Sequence, residues 1–181
     1  GGAGRGTGVA GGGVGLVEPS VRVAGAGQEG GSGGRRCGCQ WTPGAGAPTG
    51  GKFHLPGRRA RCMAGTVSHH MHNLYTRRGA QVRDARAWSE YLAEADDLFG
   101  ADTDVLFISH HWPVWGEAAL RARIGEQRDL YRYIHDQTLR LANHALNPAE
   151  IAETLTLPPE LSGPGNRGNY GSLSHNVKAV Y

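Results

Sequence analysis

The sequence predicts an α/β region followed by an all-helical one. Residues 105–108 form a short, wholly apolar run of strand length, and apolar residues then recur at helical spacing over 84–100 and 117–146. The first third differs in kind, because 20 of the 30 glycines among 181 residues fall in 1–51.

The elements follow in chain order. Residues 1–13 are Gly/Ala-rich without periodicity and read as poorly ordered. The string VGLVEPSVRV at 14–23 carries enough β-branched residues for one or two short strands around Pro19. Residues 24–36 are again Gly-rich, RCGCQWT at 36–42 alternates weakly like a strand, and PGAGAPTGG at 43–51 reads as a loop. Asp84 is placed to cap a helix carrying Trp88, Tyr91, Leu92, Ala95, Leu98 and Phe99, which Gly100 ends. The apolar run at 105–108 is read as a strand buried on both faces. A long helix over 117–146 puts Leu120, Ile124, Tyr131, Ile134, Leu139 and Leu141 on or near one face. Asn147-Pro148 supplies a cap and a proline at the first helical position for a short helix through Leu155, which Pro158-Pro159 stops.

Charge and cysteine exclude several classes. Residues 1–82 carry a formal +8 and residues 83–181 a formal −5, so the net +3 conceals opposite halves. The bases of the first half are scattered, with few aromatics between them for base stacking, so no nucleic-acid partner is expected. The string at 148–157 looks like the first helix of a helix-turn-helix, but 158–171 is too rich in Pro and Gly for a recognition helix. No apolar run reaches the length of a membrane span. Cys37, Cys39 and Cys62 are odd in number and do not form a disulfide framework; no second pair follows Cys37-x-Cys39 at a zinc-ribbon spacing.

Three groups of residues could carry chemistry. His69-His70-Met71-His72 permits either metal ligation or a solvated loop, and lacks the pattern His-x-His-x-Asp-His. His110 follows the buried strand directly, where functional groups of layered α/β folds collect; the alternative is a loop histidine packed on Trp112. Arg77, Arg78 and Arg83 lie near Asn73 and Gln81, and planar guanidinium groups suit tetrahedral oxyanions. A solvated helix-end surface would have the same spacing.

Taken together, HNLYTRRGAQVRDARAWSEYL (72–92), DVLFISHHWPVWG (104–116), QRDLYRYIHDQTLRLAN (127–143) and SHNVKAVY (174–181) resemble the alkyl sulfatases of the metallo-β-lactamase superfamily, linear primary-alkylsulfatase type. The resemblance reaches back to about Val14 and is densest over 72–157. It implies an α/β fold: a partial metallo-β-lactamase αββα sandwich over 1–116, then the start of an all-α dimerisation domain over 117–181. It also implies a two-zinc enzyme that hydrolyses alkyl sulfate esters to alcohol and sulfate, acting as a homodimer through its helical region. By that resemblance His110 is a zinc ligand, Asn73, Arg78 and Arg83 contact the sulfate group, and His69 and His72 neighbour that clamp. Cellular location is left open, with periplasm or secretion compatible with the family.

The chain also departs from the family pattern. The His-x-His-x-Asp-His motif is expected upstream of residue 1, and Gly46, Gly50 and Gly65 stand where the resemblance implies glutamates. The expectation is therefore a fragment that is catalytically incomplete in isolation. A non-catalytic helical interaction module is the alternative.

Overall fold

The computed structural model describes residues 28–32, 35–40, 42–45, 52–76 and 78–181. The expectations for 1–13 and 14–23, and for Gly46, Gly50 and Arg77, lie outside the described residues. Among the described residues, six strands form one mixed sheet: β1 (Gln28–Ser32), β2 (Arg35–Gln40), β3 (Lys52–Leu55), β4 (Ala60–Cys62), β5 (Val105–Phe107) and β6 (Val114–Trp115). They lie side by side in sequence order, and every pair is antiparallel except β4 with β5. The parallel pair needs a long crossover, which contains α1 (Ala85–Phe99). Strand β1 falls inside the Gly-rich stretch that offered no alternation, and β3, β4 and β6 are too short to give a periodic signal.

The sheet has two unlike faces. Register aligns Gly38, His54, Arg61, Leu106 and Val114 on one side, together with Gln40 and Lys52. That side lies under α1 and is largely polar, so its groups need partners. Arg61 donates to the Ala95 carbonyl and to Gln40 Oε1, each at 2.8 Å, and Gln40 donates to Glu94 at 2.7 Å and the Tyr91 carbonyl at 2.9 Å. Lys52 donates to Thr42 Oγ1. Burial, with the Arg61 charge beside it, draws the Lys52 amine down to about 7. The opposite face carries Cys37, Cys39, Phe53 and Phe107, of which Phe53 is 39% exposed and the others half-buried. This face explains why β5 departs from the expectation: Leu106 is fully buried, but Val105 and Phe107 are only half-buried.

Helix α1 begins where expected, with Asp84 accepting from the Ala87 amide at 3.0 Å. It buries Ala85, Trp88, Leu92 and Ala95, the i, i+3, i+4 pattern of one helical face. Leu98 turns out to be 43% exposed. Helix α2 (Glu117–Asn143) ends three residues earlier than the spacing suggests, because Ala145 takes a left-handed conformation (φ 63°). Its Leu120, Ile124 and Tyr131 join the core beneath α1, while Leu130, Ile134 and Leu141 join a second core with Ile151 and Val177. Leu139 lies off this face and is 42% exposed.

Helix α3 (Pro148–Thr154) starts at a complete capping box between Asn147 and Glu150. Two short 3₁₀ turns follow, at Pro159–Leu161 and Pro164–Asn166, so 158–171 contains no recognition helix. Helix α4 (Leu173–Val180) then packs back through Asn176 and Val177, both fully buried. No helix among the described residues is long and apolar enough to cross a membrane.

Candidate anion-binding site

The carboxyl ends of the parallel strands β4 and β5 are tied together. Met63 N–H donates to the Phe107 carbonyl at 3.0 Å, and Ser109 N–H donates to the Ala64 carbonyl at 2.9 Å. These bonds hold the loop after β4 against the loop after β5 and bring His72 beside His110, with ring centroids 5.5 Å apart. Gly65 sits between them. A Cβ there would stand 3.8 Å from Nε2 of both imidazoles, so any side chain at this position would point at both rings. Tyr170 closes the group, 4.7 Å from the His72 ring and 5.0 Å from the His110 ring.

His72 is buried, and burial pushes its pKa down to about 4. The nearby Asn73 carbonyl opposes the fall; the Arg83, His110 and Arg78 charges add to it. Arg83 Nη1 lies 2.8 Å from His72 Nδ1 and 2.6 Å from the Asn73 carbonyl oxygen. A guanidinium can only donate. The consistent assignment therefore makes His72 Nδ1 an acceptor in a neutral ring, although that nitrogen also lies 2.9 Å from the Asn73 oxygen.

The structure divides the expected sulfate contacts. Asn73 and Arg78 line one cleft of about 610 Å³ with Tyr75, Tyr170, Ser172 and His175. Arg83 lies behind Asn73, half-buried over the Trp88 ring at 5.6 Å, and borders a separate hollow of about 280 Å³ with Asp84 and His135. Burial lowers its pKa. Arg83 thus braces Asn73 from the core side, and Asn73 and Arg78 face the cleft.

His69, His70 and His111 form a group of their own, with the His111 ring 5.4 Å from that of His69 and 4.4 Å from that of His70. His69 Nε2 lies 3.1 Å from the Trp112 carbonyl with its ring stacked on that indole, and His70 Nδ1 lies 2.6 Å from His111 Nε2. Burial lowers the pKa of His69 and of His111. No group of three or more His, Cys, Asp or Glu among the described residues could hold a metal ion. Protein zinc sites use three or four such ligands. His110, His72 and a glycine between them therefore do not fit a zinc ion unaided.

Sequence reasoning missed Ser172, His175 and the tyrosines of the cleft. The available signal was weak: one buried-type asparagine, Asn176, beside Val177 in a short amphipathic stretch.

Known proteins share much of this sequence and fold. A model described as alkyl sulfatase dimerisation matches residues 147–181. An alkyl/aryl-sulfatase of Saccharomyces cerevisiae is 48% identical over 143 residues, which is 78% of this chain and 22% of the relative. The chain is homologous to the alkyl sulfatases. A linear primary-alkylsulfatase of a Pseudomonas species is 47% identical over 142 residues, covering 78% of this chain and 21% of that protein. The solved structure of a stereoselective inverting sec-alkylsulfatase from Pseudomonas sp. superposes with a TM-score of 0.86 at 38% identity, covering 92% of this chain and 26% of that one. The chain thus spans about a fifth of the length of the curated alkyl sulfatases it matches.

Proposed function

We propose that this chain carries the sulfate-binding part of an alkyl sulfate ester hydrolase and binds the sulfate group of an alkyl sulfate without hydrolysing it in isolation. The observation that carries this reading is the cleft lined by Asn73 and Arg78, opening beside the His72–His110 pair. Arg78 supplies a planar cation for two oxygens of the sulfate, and Asn73 supplies an amide donor. Arg83 contributes by holding the Asn73 carbonyl and keeping His72 neutral.

Zinc is the metal that the family resemblance implies, and it would supply an activated water for ester hydrolysis. His110 is the residue of this chain to which that role carries over. Because Gly65 offers no ligand atom, the described residues hold too few ligands for such an ion. Residues 1–116 are read as the catalytic portion and 117–181 as the start of the helical dimerisation portion, through which two copies associate.

Titration of the purified chain with hexyl sulfate, below any micelle-forming concentration, tests the reading by ¹H–¹⁵N NMR. Saturable shifts around Asn73 and Arg78, with no zinc-dependent sulfate release, are expected. Zinc-dependent hydrolysis by the chain overturns the inactive assignment. A concentration-dependent dimer by sedimentation, with no hexyl sulfate response, favours the non-catalytic interaction module.

A further inference from the structure

We infer that Gly171 and Asn176 are positioning residues that set Asn73 in the anion cleft. This rests on the reading above, in which Asn73 and Arg78 receive the sulfate oxyanion. Both lie in the segment that matches the dimerisation model, about a hundred residues beyond the loop they hold.

The stretch 72–74 belongs to no strand, yet side chains satisfy much of its backbone. His72 N–H donates to Tyr131 Oη at 2.9 Å. The Asn176 amide group donates to the His72 carbonyl at 3.0 Å and accepts from the Leu74 amide at 3.0 Å. One side chain thereby pairs with residues i and i+2, as a neighbouring strand does in a ladder. The Leu74 carbonyl accepts from the Arg83 amide at 2.9 Å. Asn176 is fully buried, so neither of its polar atoms can turn to water instead.

Gly171 grips the same stretch from the cleft side. A Cβ built on it would lie 2.8 Å from both Asn73 N and His72 C, and 2.9 Å from Asn73 Oδ1. The first two are backbone atoms, which cannot swing away as a flexible side chain could. A larger residue here cannot keep this approach: either Asn73 or the turn carrying Gly171 must shift. Asn73 is thus fixed by Asn176 through its flanking peptides, by Gly171 against its own backbone, and by Arg83 at its carbonyl. A displacement on the order of 1 Å is enough to degrade a site of this kind.

The test compares hexyl sulfate affinity of the full chain with Gly171→Ala, Asn176→Asp and, as a remote buried control, Thr138→Val. Thr138 is fully buried in α2, where it donates to the Ile134 carbonyl. Gly171→Ala and Asn176→Asp are expected to weaken binding at least tenfold at temperatures where each remains folded by circular dichroism; Thr138→Val leaves it unchanged. Wild-type affinity in folded Gly171→Ala overturns the inference, as does an equal loss in Thr138→Val. Hydrogen exchange of the Leu74 amide gives a second readout that needs no anion. Faster exchange at Leu74 in Asn176→Leu, which removes the acceptor of its amide, supports the bracket, and unchanged exchange overturns it. Should the wild-type chain show no saturable response to hexyl sulfate, the anion reading itself fails, and the exchange result still decides whether Asn176 positions this loop.

Discussion

At one end, beside the cleft, His72 and His110 face each other across Gly65, a residue with no ligand atom. At the other, Asn73 is held by Asn176, Gly171 and Arg83 and shares a wall with Arg78. Both ends lie on the loops that follow β4 and β5. Their difference lies in the functional atoms they present. Positioning and ligand chemistry are therefore separable here: the two loops hold their side chains in place although Gly65 presents no ligand atom.

The largest expected effect comes from removing the base that both ends share. Trp88 is fully buried, donates to the Thr66 carbonyl at 2.8 Å and stacks on Tyr131 at 4.5 Å. Trp88→Ala is expected to cost about 3–5 kcal/mol in urea denaturation and to abolish the hexyl sulfate response. Retained affinity in that variant would show that the ends do not rest on one support.

Lys52 probes stability away from both ends. Its pKa falls from 10.5 to about 7 in the fold, so the unfolded chain binds more protons between those values. Stability is therefore expected to rise with pH from about 7 to 10.5, by on the order of a few kcal/mol at most. Below pH 7 the amine is charged in both states, and the full cost of the buried cation is present. Lys52→Met should remove this slope while leaving anion affinity intact; an unchanged slope contradicts the assignment to Lys52.

Arg78→Ala separates the ends most cleanly. Losing charge-assisted hydrogen bonds of roughly 1.5–3 kcal/mol each should weaken hexyl sulfate binding by at least about tenfold, with no change in melting. The smallest effect belongs to the α3 cap. Asn147→Ala should lower stability by about 1 kcal/mol and leave both ends untouched, whereas a marked loss of anion affinity would tie the cleft to α3.

Much of this was legible in the sequence where local chemistry repeats itself. Asp84, Asn147 and Pro148 announce helix starts because capping depends on adjacent residues. The position of His110 just beyond β5 was legible because it follows an apolar run directly. The short strands β3, β4 and β6 were not, since two to four residues cannot show a period. Nor was the polar face beneath α1, because Gln40, Lys52 and Arg61 look like surface residues until partners from a distant helix are in place. The expected grouping of Asn73, Arg78 and Arg83 is now divided into two residues that face the cleft and one that braces it. Spacing cannot make that distinction, because it depends on Trp88 and Asn73 drawing the Arg83 guanidinium inward.

A single NMR time course of the isolated chain with hexyl sulfate and added zinc tests the central claim most directly. Saturable shifts at Asn73 and at the Arg78 side chain, with the ester intact throughout, are the predicted result. Zinc-dependent release of sulfate, or the absence of any saturable shift at those residues, would contradict it.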